Sequence, residues 1–398
     1  AFGDAKNLSP LESLTFNGDI PDYGGDVGLD PGQCEIHVFA GSSGWDETWQ
    51  GCSVCRNRAQ YVGAAGVLRT VENPMVVGPG TSELKDGWYV LSEDVQLGGL
   101  AVNGAANLIL TDGRALTVNG LLKLPFDKRL TIYGQQKGTG ALNVIAAKPS
   151  DTAVGTTDAG APCGMLTVHG GQVTISGSIS AGNGARGADG RSEWGALLVD
   201  GEEGGRGGAV EQIEISGGIV NVSGNICGGN GGRGGNGYFY WIGDDDIKCG
   251  DGGDGGRGGS VILKVAGGTL NVGGSVRGGS GGSPGNAVMY GGSSGSSGSS
   301  GLCLVAVAGG SFKAGSVQTQ PVKSVLDDVT VYCVTVPGLA PDAAVTLGNL
   351  PGYGTNDIFA DADGKIYLYL PNGTYSFTAN DVSYTATVAN GPTTAVAQ

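Results

Sequence analysis

Short runs in which apolar and polar residues alternate recur through the middle of the chain. They read GGQVTISGSIS from Gly170, GGIVNVSGNIC from Gly217, GGTLNVGGSVR from Gly267 and a fading GGSFKAGSV from Gly309. Such alternation predicts strands with one buried face. The runs start 47, 50 and 42 residues apart, and a glycine-rich stretch follows each of the first three. Self-similarity of this kind predicts a stacked β-solenoid, in which each repeat buries its apolar face only against its neighbours. Upstream, NLIL and ALTV are split by Asp112-Gly113, a tight-turn signal, and LTIYG and ALNVIA follow.

The two ends read differently. KIYLYLP, TYSFTA and SYTATV near the C-terminal end alternate regularly and are separated by turn residues, which predicts a small β-sandwich-like module. Residues 56–84 read as a polar, glycine-containing connection. The expected fold is therefore all-β: a right-handed parallel β-helix over 61–318 and a β-sandwich-like module over 319–398, preceded by a distinct 1–60 segment. Long glycine-rich insertions at 182–208, 228–259 and 278–301 interrupt the solenoid. They read either as flexible linker or as ordered, closely approaching extended segments that only glycine permits. The recurrent Gly-Arg-Gly-Gly at Arg206, Arg233 and Arg257 favours order, whereas GSSGSSGSSG at 292–301 is expected to be loose either way.

Two resemblances add to this reading. In the first sixty residues Leu8, Leu11, Leu14 and Phe16 are spaced as in a turn of a leucine-rich repeat, and Gly44, Trp45 and Trp49 follow in CEIHVFAGSSGWDETWQGCSV. This resembles the last repeat and terminator of BspA-like surface leucine-rich repeats, so segment 1–60 is expected to be the remnant of a longer repeat array. Residues 107–145 (NLILTDGRALTVNG…LTIYGQQKGTGALNV) and 170–275 resemble the modules known as carbohydrate-binding domains in bacterial surface proteins. That resemblance implies a surface location and glycan binding.

Composition narrows the partners. Glycine supplies 80 of 398 residues, about three times the usual share. The net charge of −15 repels phosphate backbones, so nucleic acid is not an expected partner. No run of 18 apolar residues predicts a membrane span. The start, AFGDAKNLSPLESLTF, has neither a basic opening nor an apolar core, so the chain is expected to be a piece of a larger extracellular or cell-surface protein.

Sugar binding needs aromatic faces and planar polar groups. Tyr238, Phe239, Tyr240 and Trp241 concentrate them in the second insertion, with Trp194 in the first and Tyr290 in the third. If the repeats stack in register, these residues emerge along one edge; the rival reading is that they cap the solenoid or pack among themselves. Asp244, Asp245, Asp246 and Asp251 in GDDDIKCGDGGD offer hard oxygen ligands, so Ca²⁺ is the ion to consider, although their order is not that of an EF-hand. Asp361-x-Asp363-Gly364 reads as an Asx-turn that needs no ion.

Cys227 and Cys249 bracket the second insertion and are the candidate disulfide, while Cys303 and Cys333 lie in apolar strands and read as thiols. Cys52-x-x-Cys55 has the spacing of a redox or metal pair. With no second such pair and only His37 and His169 in the chain, no metal site is expected there. A β-helical polysaccharide lyase or glycosidase would have to use Asp244–Asp246, Asp251 and Asp254 with Lys248 or Arg257, but nothing in a glycine-rich loop sets the distances such chemistry needs. Neither histidine has a nucleophile motif beside it. The expected function is adhesion or glycan binding without catalysis. A structural stalk, surface-layer or self-assembling subunit is the alternative, and a polysaccharide-degrading enzyme the second.

Overall fold

The structure is a computed structural model that describes residues 13–16, 20, 34–39, 44–63, 66–193, 197–242, 246–288, 291–318, 322–323, 329–350, 352–353 and 358–398. Every named element in it is a β-strand, and 19 of the strands form one large sheet. Its pairings are parallel and join each strand to one about a turn further along, so three columns of strands run the length of a solenoid. One column stacks Gly87–Leu91, Ala105–Leu110, Arg129–Gly134 and Cys163–Val168 before passing into the first halves of Val210–Val222 and Val261–Arg277. The second stacks Val95–Leu97, Ala115–Asn119, Ala141–Ile145 and Gln172–Ser176, and ends on Ser311–Val317. The third runs through the short strands Leu100–Val102, Leu122–Lys123, Thr152–Gly155, Ser178–Ser180 and Ile226–Cys227.

The alternating phrase explains this stacking. Val118, Val144, Ile175, Val222 and Val272 occupy one register position on successive turns and are at most 2% exposed. Each β-branched rung buries itself against the rungs above and below, contributing roughly 1.5–3 kcal/mol per side chain relative to exposure. The paired glycines of the phrase make the corner between the first two columns. Gly171, Gly218 and Gly268 all have left-handed φ (83°, 73° and 67°). A Cβ on Gly218 would lie 2.4 Å from the Gly171 carbonyl oxygen. Turns stacked this closely at a left-handed corner require glycine.

At the N-terminal side Ser13–Phe16, Glu35–Phe39 and Cys52–Val62 pair in parallel, and Leu68–Glu72 closes on the last of them as an antiparallel hairpin. The stretch expected to be a polar connection at 56–84 is therefore largely strand, and the N-terminal sheet runs on past residue 60. Tyr61, Trp88 and Tyr133 pack this sheet against the solenoid, with ring centroids 4.6–5.1 Å apart. At the other end a three-stranded and a four-stranded sheet share one core that includes Val334, Leu368, Phe377 and Tyr384. This unit is fastened to the solenoid by buried hydroxyls: the Phe359 N–H donates to Thr269 Oγ1 (2.8 Å) and the Tyr367 N–H to Ser311 Oγ (3.0 Å).

Candidate functional site

The glycine-rich insertions are built from six extended segments, numbered I to VI here: 182–190, 201–208, 228–237, 250–259, 278–286 and 292–301. Their sequence repeats every three residues, glycine-glycine-X in the middle of the set. The hydrogen bonds repeat with it. In segment III, Gly229, Gly232 and Gly235 donate to Gly208, Gly205 and Glu202 of segment II, and Gly231, Gly234 and Gly237 donate to Ser280, Ser283 and Asn286 of segment V, all at 2.8–3.0 Å. Segments I, III and V run parallel as one layer, II, IV and VI as another, and the two layers are antiparallel. A three-residue period with every bond made between segments is the logic of a polyproline-II-type helix, which has no internal hydrogen bonds.

Two positions in three face a neighbouring backbone, and there a side chain does not fit. A Cβ on Gly256 would lie 2.0 Å from the Gly205 carbonyl oxygen, and one on Gly259 1.7 Å from that of Gly208. The 292–301 run, expected to be loose, is ordered for the same reason: Gly295, Gly298 and Gly301 donate to Gly285, Gly282 and Gly279 at 2.8–3.2 Å.

The third position, X, points outward, and its residue types are chemically apt. Asn230 Oδ1 accepts the Ser280 N–H (2.9 Å), Asp189 Oδ1 the Asn236 N–H (2.7 Å), Asp251 Oδ1 the Ser293 N–H (2.6 Å) and Asp254 Oδ1 the Ser296 N–H (2.6 Å). Short carboxyl and amide oxygens thus satisfy the backbone donors that the glycine lattice leaves over. Asp251, a candidate Ca²⁺ ligand, is one of these caps. Asp246 lies on the strand Asp246–Cys249 beyond the bundle, and Asp244 and Asp245 lie outside the described residues.

The bundle is an arm. Ten residues at ~3.1 Å each make it about 30 Å long. Antiparallel hairpins close its far end: Arg191–Glu193 with Leu197–Val199, and Phe239–Ile242 with Asp246–Cys249. The two hairpins touch. Tyr238 and Phe239 stand at this tip, 41% and 47% exposed, with rings stacked at 6.2 Å between centroids. Tyr240 and Trp241 are on the same strand, while Trp194 and Tyr290 lie outside the described residues. The arm also corrects the disulfide. Cys227 pairs with Ser180 at the base and Cys249 with Phe239 at the tip, so the whole length of segment III separates them and no bond joins them. Burial pushes the thiols of two solenoid cysteines up, Cys163 to about 12 and Cys303 to about 11, which leaves them un-ionised and inert.

The structure also has a concave surface that was not read from the sequence. A groove of about 730 Å³ runs along the glycine corners between the N-terminal sheet (Val62, Gly63) and the C-terminal unit (Phe359). His169 lines it, with its Nδ1 2.5 Å from Ser216 Oγ. Burial holds the His169 pKa below its ordinary value, against the opposing effect of Glu214, so the ring is neutral near pH 7. The two residues are 47 apart, one repeat, so the period itself was the signal that could have found them. Ser216 also donates to the Val168 carbonyl (3.3 Å), and among the described residues no carboxylate hydrogen-bonds the imidazole. The pair ties consecutive turns together and lacks the third group that would orient a catalytic base. Compared with known proteins, the chain matches no family model, no curated sequence and no solved structure.

Proposed function

We propose that this chain is a non-enzymatic extracellular surface protein of bacterial type, in which a right-handed parallel β-helix holds a rigid polyglycine arm and the arm's tip binds a glycan or cell-surface ligand. The observation that carries the reading is the exposed, mutually stacked Tyr238–Phe239 pair at the end of the glycine lattice. Exposing two large rings forfeits the burial energy they would gain in a core, and a rigid support lowers the entropy lost when a sugar ring stacks on them. The acidic balance, the resemblance of 107–145 and 170–275 to carbohydrate-binding modules and the resemblance of the N-terminal segment to a surface repeat terminator support the same setting. So does the parallel spacing of Ser13, Glu35 and Ser53. No helix among the described residues is long and apolar enough to cross a membrane. The C-terminal unit, read as a β-sandwich-like module, serves as a spacer.

The test is a glycan-array screen of the chain beside a Tyr238→Ala/Phe239→Ala variant, with and without Ca²⁺. Selective binding that the variant loses is the expected result, and Ca²⁺ dependence would add the tip aspartates to the site. Binding that survives in the variant would move the site off the tip. No binding in any arm would favour a structural role, for which the continuous hydrogen-bonded lattice of the bundle is the supporting observation.

A further inference from the structure

The Cys52-x-x-Cys55 pair does not act as a pair. Cys52 is fully buried among Trp45, Trp49 and Ile36. Cys55, three residues on in the same strand, falls on the opposite face of the sheet and is half-buried. Its spatial neighbours come from the adjacent parallel strand. Cys55 is the register partner of His37, and Glu35 lies two residues before His37 on the same face. Glu35 Oε2 is 3.5 Å from His37 Nε2. One donor atom from each of the three residues lies within 4.8 Å of the others. The strand register breaks immediately afterwards, between His37 and Phe39, and such irregularities commonly re-aim side chains at sites.

We propose that Glu35, His37 and Cys55 form a three-ligand site for a borderline transition-metal ion of the Zn²⁺ class, with water in the fourth position. Thiolate, imidazole and carboxylate together select such ions and disfavour Ca²⁺ and Mg²⁺, which take oxygen ligands. A tetrahedral Zn²⁺ with bonds of ~2.0–2.3 Å sets its donor atoms roughly 3.3–3.8 Å apart, so the three side chains need close by only about 1 Å. Binding replaces the Cys55 S–H proton, which leaves to solvent, by a metal–sulfur bond. The side chain of Glu35 is 63% exposed and that of His37 18% exposed, so the ion reaches the site directly from water and keeps an open coordination position. The metal would cross-link the second and third parallel strands of the N-terminal sheet.

The experiment is a Co²⁺ titration of the metal-stripped full chain. The expected result is a sulfur-to-Co²⁺ band in the near ultraviolet with the visible bands of tetrahedral cobalt, saturating at one equivalent, bleached by Zn²⁺ and untouched by Ca²⁺. Cys55→Ser abolishes the sulfur band, His37→Gln weakens binding by more than about 100-fold, and Cys52→Ser keeps both. No sulfur band in the unaltered chain, or a band that survives Cys55→Ser, overturns the proposal. X-ray absorption of the Zn²⁺-loaded unaltered chain covers a variant that fails to fold. One sulfur with nitrogen and oxygen neighbours is expected, whereas two sulfurs or none would overturn the assignment.

Discussion

At the scale of single residues, the arm rests on hydrogen atoms where other residues carry a Cβ. Gly256→Ala puts a methyl group 2.0 Å from a carbonyl oxygen in the middle of the lattice. We expect it to destabilise the bundle by about 2 kcal/mol or more, whereas Ser297→Ala on the exposed edge changes stability by less than about 0.5 kcal/mol; amide exchange across 182–301 measures both. Asp361 adds an ion pair to the hydroxyl contacts that fasten the C-terminal unit. Its Oδ1 accepts the N–H groups of Asp363 and Lys365, closing the expected Asx-turn, and its Oδ2 takes Lys313 Nζ (2.7 Å) and the Tyr367 hydroxyl (2.9 Å). Burial alone would raise this carboxyl, but the hydrogen bonds from Lys313, Tyr367 and Lys365 together hold it below its ordinary value. A depressed folded-state pKa stabilises fully above the unfolded value of about 4 and is lost as pH falls through the folded one. Thermal unfolding between pH 5 and 2 (roughly the window this sets) should show that loss, and Asp361→Asn should flatten it while costing about 1–3 kcal/mol at neutral pH. His169 has the opposite chemistry but the same direction. Its ring resists protonation when folded, so stability falls as pH drops below about 6.5, and His169→Gln removes that part of the slope.

At the scale of the element, the bundle shows where it ends. Interior segments III and IV carry glycine at both inward positions, but the outer segments do not. Ala185, Ala188 and Glu202 stand on the first edge and Ser294, Ser297 and Ser300 on the last, all exposed. The serines occupy the positions that in segment IV donate to the next segment. A further segment added there would meet their Cβ atoms at the distances that exclude side chains inside the lattice. These residues therefore blunt an edge that would otherwise accept another chain, as charged residues and prolines blunt the edge strands of sheets. The triple substitution Ser294→Gly/Ser297→Gly/Ser300→Gly should make the chain associate more strongly with rising concentration in sedimentation velocity than the unaltered chain does. An unchanged sedimentation coefficient would show that the edge residues have no such role. The same element corrects the cysteine pairing: unfolding curves of the chain should be the same with and without reductant, because about 30 Å of polyglycine segment keeps Cys227 from Cys249.

For the whole molecule, the proposed binding role requires the tip to be held at a fixed place away from the solenoid. The arm grows from three consecutive turns, so its base inherits the solenoid's register through Ser180, Cys227 and Arg277. An insertion of three residues (one lattice period) in both strands of a single arm hairpin should preserve the lattice yet break the tip surface. If the tip binds as proposed, ligand binding should then fall as far as in the Tyr238→Ala/Phe239→Ala variant, without loss of thermal stability.

By itself the chain determined the strands of the solenoid, the paired-glycine corners and the alternation in the C-terminal unit, because these follow from periods of two and from glycine's access to left-handed φ. The three-residue period of the insertions was equally present in the chain, yet it supported linker and lattice alike. A polyproline-II segment makes no bonds within itself, so only its neighbours decide whether it is ordered. Tertiary structure alone placed Cys227 and Cys249 at opposite ends of one arm and brought Cys55 to His37 and Glu35, whereas the 47-residue period already related Ser216 to His169. Contacts of that kind depend on parallel register between segments 18 to 50 residues apart, and register is set by how whole turns stack rather than by any local pattern.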